Sequence, residues 1–373
     1  MTPSPRILIA LIVSSMFFVP AANLAAAGRD FGAYWREPSL LYNVDILAQQ
    51  LALALMPWGI SIAPEKVVIG KGQWLFLGDS YHHAITEERR PAMPPDVAFG
   101  RRVKAATASW DTYFRRHGVG LFKILVGPNK SSIYPEYLPG WMKASQPSPF
   151  EIFLREAGEN YIDLRPVLRR AKEASPAPLY YRADTHWNYR AAAIAFHELA
   201  RHAAPEAPDL RWPLQEDYGI RRESLRTGGD LSYFLHAGFA NRDVDPQPVI
   251  LEKDAPTTWT ELDSGKVIYD GPIAAVPRLQ TTIVVHSSRA LNQRKVLWLR
   301  DSYGEALSPF MSYTFSDVLQ CHWLTGLQPG ALARLVDRWK PDYVFITVVE
   351  RDARDELFAG LPPPAGEAPG AAR

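Results

Sequence analysis

Short apolar runs alternate with amphipathic stretches along most of this chain. Continuous apolar runs at 121–126, 296–299 and 343–349 predict buried strands, because strands of a parallel sheet are covered on both faces. A pair of apolar runs within 67–77, around Gly70-Lys71-Gly72, predicts a β-hairpin. Helices are predicted at residues 44–56, 96–117, 166–174, 189–203 and 331–339. This alternation of strands and helices predicts an α/β fold with a mostly parallel central sheet.

The N-terminus has the pattern of an export signal. Arg6 precedes an apolar run from Ile7 to Pro20, and Ala25-Ala26-Ala27-Gly28 resembles a small-residue cleavage site. No charge occurs from Ile7 to Ala27, and that length also suits an uncleaved membrane anchor. Residues 1–27 are therefore predicted to be a signal peptide or an anchor in the inner membrane, and the protein is predicted to be periplasmic. No later stretch is predicted to span a membrane.

Composition excludes some classes of function. The chain of 373 residues has 41 Lys+Arg against 40 Asp+Glu, so no basic bias suggests nucleic-acid binding. Its single cysteine, Cys321, rules out an internal disulfide and any cysteine-cluster metal site. The 11 Trp and 16 Tyr are compatible with a sugar-binding cleft.

The stretch from Lys295 to Phe310 joins a buried strand to a predicted helix that begins near Glu305. Between them, Asp301-Ser302-Tyr303-Gly304 places Ser302 at the predicted N-terminus of that helix. Free backbone N–H groups there favour a developing negative charge, which suits a serine nucleophile. The alternative is that Asp301 or Ser302 only caps the helix.

Asp184-Thr185-His186 lies in a polar and aromatic segment just before the helix at 189–203. In an extended segment, Asp184 and His186 point the same way, so the carboxylate can orient the imidazole as a general base. The alternatives are a helix-capping Asp184 with a buried, hydrogen-bonded His186, and a metal site. The metal site is disfavoured because no His or Glu partner stands at ligand spacing.

Two further loops contain polar residues of the kind found in active sites. Gly78-Asp79-Ser80 resembles the opening motif of serine esterases, but no amphipathic helix follows at once, so Ser80 is discounted as a nucleophile. Asn129 and Lys130 follow the predicted strand at 121–126, at the strand edge where α/β proteins bind ligands. The alternative for Lys130 is a solvated loop charge.

Taken together, these motifs resemble the SGNH-hydrolase-like polysaccharide O-acetyltransferases of the alginate O-acetylation family, the AlgJ/AlgX type. The matching segments occur in family order: Val67 to Phe76, Asn129-Lys130 with Tyr134-Pro135, Asp163-Leu164, Asp184 to Asn188, Gly229-Asp230-Leu231, Arg300 to Tyr303, Lys340-Pro341-Asp342 and Glu350-Arg351. The resemblance implies a three-layer α/β sandwich in a circularly permuted motif order, with Asp-x-His before the serine. It implies one such domain at 28–360 and a disordered tail at 361–373. Because no carbohydrate-binding module follows, the single-domain AlgJ type fits better.

The resemblance also implies roles for residues. Ser302 is expected to be the nucleophile, His186 the base and Asp184 its orienter, with neither cofactor nor metal. The predicted contacts to the oxyanion or substrate are Asn129, Lys130, Arg300, Tyr303 and Trp187; Trp74 and Trp323 are further aromatic faces for a sugar. The expected reaction transfers acetyl from a membrane-bound O-acyltransferase partner to an exopolysaccharide such as alginate. An acetylesterase with the same three residues, or an inactive polysaccharide-binding subunit, remains the alternative.

Overall fold

The computed structural model describes residues 5–26, 36–214, 217–238, 242–250 and 255–364. Its helices are α1 (Pro5–Ala26), α2 (Asp45–Leu55), α3 (Ala84–Arg89), α4 (Pro94–Arg116), α5 (Lys130–Ile133), α6 (Pro149–Ala157), α7 (Arg165–Ala174), α8 (Tyr189–Ala203), α9 (Asp230–Phe234), α10 (Ser308–Thr314), α11 (Trp323–Gly326) and α12 (Ala331–Trp339). Its strands are β1 (Val67–Ile69), β2 (Leu75–Leu77), β3 (Leu121–Gly127), β4 (Tyr161–Asp163), β5 (Tyr218–Thr227), β6 (Arg242–Ile250), β7 (Pro256–Glu261), β8 (Val267–Pro272), β9 (Ile283–Ser287), β10 (Asn292–Arg300), β11 (Phe315–His322) and β12 (Tyr343–Val349).

A central sheet has the strand order β4-β3-β12-β10-β11-β9-β7-β8. The pairs from β4 to β11 are parallel, whereas those from β11 to β8 are antiparallel. β1 pairs with β2, and β5 pairs with β6, as separate two-stranded sheets. The predicted mostly parallel sheet is thus confirmed, with an antiparallel extension at one edge.

Alternate residues of the parallel strands enter two different cores. In β10, Val296 and Trp298 pack with α7, α8 and α10 on one face of the sheet. Leu297 and Leu299 pack with α4, α6 and α12 on the other face. Since strand side chains alternate between faces, these two cores produce the predicted three-layer sandwich.

Several predicted elements agree with the structure to within two residues, and α8, α12 and β12 agree at both ends. The helix predicted to begin near Glu305 is wrong, because α10 begins at Ser308 and residues 302–304 form a single 3-10 turn. Pro309 explains the difference. A helix begun at Glu305 would hold this proline in its second turn, where it lacks an N–H and clashes with a carbonyl, but it fits the first turn of α10.

The predicted apolar N-terminal segment forms α1, a helix of 22 residues. Within it, the buried Asn23 side chain donates to the carbonyl oxygens of Leu40, Leu41 and Asn43 at 3.2, 2.8 and 2.7 Å. The predicted cleavage site extends past Ala26, and most of the predicted tail lies beyond residue 364, so both reach outside the described residues.

A second helical stretch is apolar, contrary to the sequence expectation. Among the described residues, Ser39–Trp58 is long and apolar enough to cross a membrane by length and composition, with a mean hydropathy of 1.3. It comprises a 3-10 turn, α2 and a second 3-10 turn, and it includes Asp45.

Candidate active site

A cleft opens at the carboxyl ends of the parallel strands, with a cavity volume of about 700 Å³. Ser302 follows β10, and the segment before α8 brings Asp184 and His186 to the same cleft. This edge of a parallel sheet is where α/β proteins bind ligands. Ser302 therefore meets the pair Asp184 and His186, from which it is more than 100 residues distant in sequence, at one end of the central sheet.

The three side chains form one hydrogen-bonded chain. His186 Nε2 lies 2.8 Å from Ser302 Oγ, and His186 Nδ1 lies 2.6 Å from Asp184 Oδ1. Asp184 Oδ1 also accepts the backbone N–H of His186 at 3.0 Å, which fixes the carboxylate against its own segment. With Asp184 accepting the proton of Nδ1, Nε2 of a neutral imidazole is free to accept the Ser302 proton.

Charge favours this arrangement. Burial favours the neutral imidazole, but the hydrogen bond and charge of Asp184 outweigh it, so the pKa of His186 is raised above its ordinary value. Burial alone would raise the pKa of Asp184, yet the bonds to His186 and the charge of Arg226 hold it well below its usual range. Asp184 is thus an anion that stabilises a protonated His186.

Asp184 has a second set of partners, from the far side of the cleft. Its Oδ2 accepts from Arg226 Nη2 at 2.8 Å and from the backbone N–H of Asp230 at 3.3 Å. Gly229 permits this approach, since a Cβ there would lie 2.3 Å from the carbonyl oxygen of Ala183 and its φ is +152°. Only glycine tolerates both the contact and the backbone conformation.

Asp230 holds the residue between Asp184 and His186. It accepts the Thr185 N–H at 2.7 Å and the Thr185 hydroxyl, and its Oδ2 lies 3.6 Å from His186 Nδ1. Asp184, His186 and Asp230 offer ligand-capable atoms within 4.8 Å of one another. In the structure, Asp184 is hydrogen-bonded to His186 and Arg226, and Asp230 is hydrogen-bonded to Thr185. The cluster is therefore a hydrogen-bonded network.

Lys130 lies beneath this segment rather than in reach of an oxyanion. Its buried Nζ donates to the carbonyl oxygens of Tyr181, Arg182 and Asp184 at 3.0, 3.0 and 2.7 Å. Because an ammonium group has only three N–H donors, none remains for a substrate. The prediction that Lys130 donates to an oxyanion is therefore wrong. Burial lowers the pKa of Lys130 to about 8.

Arg300 is also turned away from the cleft. Its guanidinium, at 0% exposure, donates to Gln320 Oε1 and to the carbonyl oxygens of Asp301, Val276 and Pro277. The side chain therefore ties β10 to the loop before β9, and the prediction that it binds an oxyanion is wrong. Strand alternation does not reveal whether a terminal polar residue points into a core or a cleft.

Trp187 and Tyr303 support the site from inside. Trp187 Nε1 donates to the carbonyl oxygen of Tyr303 at 2.9 Å, and the Tyr303 hydroxyl donates to that of Thr185 at 2.9 Å. Both side chains are at most 2% exposed, as is Trp323, and Trp74 is at 6%. The expectation that these rings stack on a sugar is therefore wrong, because all four pack in the interior. Trp187 and Tyr303 hold the histidine segment against the serine turn.

Asp301 shapes the turn that presents Ser302. Its Oδ1 accepts the Tyr303 N–H at 2.8 Å, and its Oδ2 accepts the Val349 N–H at 2.7 Å. Burial and the charge of Asp352 raise the pKa of Asp301 to about 6 despite these two bonds. The carboxylate caps a 3-10 turn, so the expected helix N-terminus at Ser302 is replaced by one turn anchored to β12.

Asn129 lies behind the cleft. Its side-chain amide donates to Glu88 Oε1 at 3.2 Å, and its backbone N–H donates to Glu350 Oε2 at 2.9 Å. Asn129 Oδ1 faces Arg351 Nη1 at 3.5 Å. Arg351 lines the cleft together with Ser302 and His186.

Sequence reasoning gave no role to Arg226, Asp230, Glu88 and Arg351. Asp230 and Arg351 were within segments that resemble the family, Gly229-Asp230-Leu231 and Glu350-Arg351, and that was the available signal. Arg226 and Glu88 come from a hairpin and a short helix with no recognisable motif, and only the fold brings them to the site.

Known proteins share this fold and part of the sequence. Residues 67–276 match the family model described as SGNH hydrolase-like domain, acetyltransferase AlgX. A probable alginate O-acetylase AlgJ of Pseudomonas syringae is 25% identical over 267 residues, which cover 68% of this chain and 65% of that protein. The chain thus aligns with slightly less than two thirds of the length of that relative.

Solved structures agree on the fold. PatB1 of Bacillus cereus superposes with a TM-score of 0.57 at 13% identity, over 78% of this chain and 98% of that one. A DHHW family protein of Eubacterium siraeum has a TM-score of 0.54 at 16% identity, over 82% and 98%. Since the matched family model spans more than half of the 373 residues, the chain belongs to the SGNH hydrolase-like acetyltransferase family of AlgX.

Proposed function

We propose that this protein is an exported O-acetyltransferase that carries an acetyl group on Ser302 and passes it to hydroxyl groups of an exopolysaccharide, alginate or a similar polymer. The observation that carries the proposal is the hydrogen-bonded chain from Ser302 through His186 to Asp184, in a member of an acetyltransferase family. The name of the related probable alginate O-acetylase supports this class of acceptor.

The first half-reaction loads the enzyme. His186 Nε2 takes the proton of Ser302 as Oγ attacks the acetyl carbonyl carbon, and the carbonyl oxygen becomes an anion. Collapse of this tetrahedral species expels the donor's leaving group, which receives the proton from His186. The ionised Asp184 stabilises the imidazolium that exists between these two steps.

The second half-reaction delivers the acetyl group. His186 removes a proton from a sugar hydroxyl, the sugar oxygen attacks the acetyl-serine, and Ser302 regains its proton from His186. Positioning of the sugar has to make it a better acceptor than water. Tyr81 and Phe234 stack at 5.7 Å on the cleft wall and, unlike Trp187, expose part of their rings, so they suit contact with a sugar face.

The proposed source of the acetyl group follows from the proposed location of the protein. A periplasmic enzyme has no obvious supply of acetyl-CoA, so we propose that a membrane-bound O-acyltransferase delivers the acetyl group. The apolar helix α1 is compatible with a signal or an anchor that keeps the protein near that partner.

An acetylesterase using the same residues is the alternative, and one observation favours it: the His186 side chain is 28% exposed, so water reaches the base. Incubation with an acetyl donor and glycan oligomers, followed by mass spectrometry, separates the two activities. Transfer predicts oligomers that gain the mass of acetyl groups. Release of acetate without any gain in oligomer mass would contradict the transferase proposal.

A polysaccharide-binding subunit with an inactive site is the remaining alternative. A serine-reactive fluorophosphonate probe is expected to label the wild-type protein at Ser302 and to leave Ser302→Ala unlabelled. Ser80→Ala is the matched control, since Ser80 is exposed and outside the cleft lining, and it is expected to label normally. Absence of labelling in the wild type would contradict any catalytic role.

A further inference from the structure

We infer that Arg351 is the side-chain donor that binds the acetyl carbonyl oxygen while it is negatively charged. This inference rests on the proposed function and assigns the second oxyanion contact beside the Ser302 backbone N–H. Arg351 lies two residues beyond the end of β12, and its side chain lines the same cleft as Ser302 and His186.

The fold delivers Arg351 and Ser302 to the same edge. β12 is the parallel neighbour of β10, with Arg300 paired to Thr347. Asp301 connects the two strand ends, because one carboxylate accepts the N–H of Tyr303 at 2.8 Å and that of Val349 at 2.7 Å. The turn carrying the serine and the loop carrying Arg351 are therefore held in register by one side chain.

The guanidinium of Arg351 has N–H donors that its contacts in the structure do not saturate. It has five N–H groups. Its contacts are long, 3.5 Å from Nη1 to Asn129 Oδ1 and 3.9 Å from Nε to Asp352 Oδ1, besides an interaction with Tyr303. Arg300, by comparison, makes four bonds between 2.8 and 3.1 Å. The side chain of Arg351 is only 15% exposed, so water screens its charge weakly.

Neighbouring groups orient this guanidinium. Its Cζ lies 6.0 Å from the centre of the Tyr303 ring, whose hydroxyl is bound to the histidine segment. Glu88 accepts the amide N–H of Asn129 at 3.2 Å, which turns Asn129 Oδ1 toward Arg351. Such a supported position suits a donor that must not reorganise during reaction.

The positive charge of Arg351 acts on the base and on the turn that carries the nucleophile. Its positive charge acts to lower the pKa of His186 and of Asp301, although Asp184 raises the first and burial raises the second overall, as expected for a cation close to the base and the nucleophile turn. Among the other cations near Ser302, Lys130 and Arg300 direct their donors to carbonyl oxygens, and Arg226 donates to Asp184. Arg278 also lines the cleft, but it is exposed, so water screens its charge more strongly. As Ser302 Oγ bonds to the acetyl carbon, the π electrons move to the carbonyl oxygen, and an Arg351 N–H donates to that oxygen.

The test measures formation of acetyl-enzyme from 4-nitrophenyl acetate in the first turnover, by release of nitrophenolate. Arg351→Met is expected to slow this acylation by about 10²-fold, as loss of an oxyanion donor does, with a smaller change in KM. Arg351→Lys keeps the charge and should retain part of the rate. Added methylguanidinium is expected to restore acylation in Arg351→Ala, an effect that a purely structural side chain would not show.

Arg354→Met is the matched control. Arg354 occupies the same loop, but its guanidinium binds Glu87 at 2.5 Å and Asp96 at 3.2 Å, outside the cleft lining. Folded Arg354→Met should acylate at the wild-type rate. Circular dichroism checks folding of each variant, and Arg351→Lys serves for the kinetics if the methionine variant does not fold.

The outcomes separate this inference from the proposed function. If the wild type forms acetyl-Ser302 but Arg351→Met and Arg351→Lys acylate normally, the inference is overturned and the function stands. Normal acylation with slowed transfer to a glycan would also overturn it, since Arg351 would then contact the acceptor. If the wild type forms no acetyl-Ser302, the proposed function itself fails.

Discussion

At the scale of single residues, the site depends on which atom each polar group faces. Asp184 divides its two oxygens between His186 and Arg226, so it orients the base and remains ionised. Lys130 and Arg300 carry the same charge as Arg351 and lie nearby, yet their donors bind backbone carbonyls and, for Arg300, also Gln320 Oε1. Residue type and position in sequence suggested Lys130 and Arg300, but not Arg351, as contacts to the oxyanion or substrate. Only the direction of each side chain distinguishes these three cations.

Asp184→Asn tests the orientation of the base. An asparagine amide would donate to Nδ1, which moves the imidazole proton to Nε2 and prevents that atom from accepting the Ser302 proton. Acylation by 4-nitrophenyl acetate is expected to fall by about 10⁴-fold. Asp317→Asn is the matched control, because Asp317 pairs with His286 at 2.9 Å outside the cleft and its loss should leave the rate unchanged. A wild-type rate in Asp184→Asn would refute the assigned role.

The raised pKa of Glu88 predicts how the stability of the fold depends on pH. Burial and the charge of Glu350 raise the pKa of Glu88 from its ordinary 4.5 to about 7. The folded protein therefore binds more protons at this group than the unfolded chain between these pH values, and stability should decrease as pH rises through that window. Urea unfolding at several pH values is expected to show a shallower decrease for Glu88→Gln. An unchanged slope would mean that Glu88 is ionised throughout.

At the scale of elements, the segment between α7 and α8 is held in place from below. It has no regular structure beyond one bridge between Tyr180 and Trp187, yet it carries both Asp184 and His186. The Lys130 ammonium joins three of its carbonyl oxygens, and Asp243 accepts the N–H groups of Arg182 and Ala183 at 2.7 and 2.9 Å. Buried ionic contacts thus replace the rigidity that a helix or strand would provide.

Lys130→Met removes the donor of three bonds and leaves buried carbonyl groups unsatisfied. We expect a loss of about 3 kcal/mol in the free energy of unfolding, measured by urea denaturation, with slower acylation in the folded fraction. Lys71→Met is the control, since Lys71 is exposed and makes one bond to the carbonyl oxygen of Glu136, and it should change stability by less than about 0.5 kcal/mol. Equal stability of the two variants would show that the Lys130 contacts contribute little.

Elements with a clear hydrophobic period could be predicted from sequence, and elements set by tertiary contacts could not. α12 and β12 were predicted at both ends because their apolar positions follow one period from start to finish. The short helix after Ser302 was misplaced because Pro309 and the Asp301 contact to Val349, not periodicity, decide where it begins. Ser302, His186 and Asp184 were found from local motifs, whereas Arg226 and Glu88 arrive from unremarkable segments.

At the scale of the whole molecule, three layers position the site and an apolar N-terminal helix precedes them. Two cores cover the parallel strands on both faces, which leaves their carboxyl ends as the place where polar side chains converge. The contact of Asn23 with Leu40 to Asn43 joins α1 to the chain that follows it. The apolar helix itself is compatible with a signal or an anchor segment.

The proposed export of the protein to the periplasm can be tested on the whole molecule. A β-lactamase fused after residue 364 and expressed in a Gram-negative host should confer ampicillin resistance, because the fusion is expected to reach the periplasm. Removal of residues 1–27 is the control and should abolish resistance. Resistance in the truncated fusion, or sensitivity with the full chain, would contradict a periplasmic location.

The most direct test of the account is to find the acetyl group on the enzyme. The wild-type protein is mixed with an acetyl donor, quenched in acid within the first turnover, digested and mapped by tandem mass spectrometry. We expect acetyl on the peptide that contains Ser302, at the Ser302 side chain, and none in Ser302→Ala. Acetylated glycan produced without any acetyl-Ser302, or an acetyl group found on Ser80 instead, would contradict it.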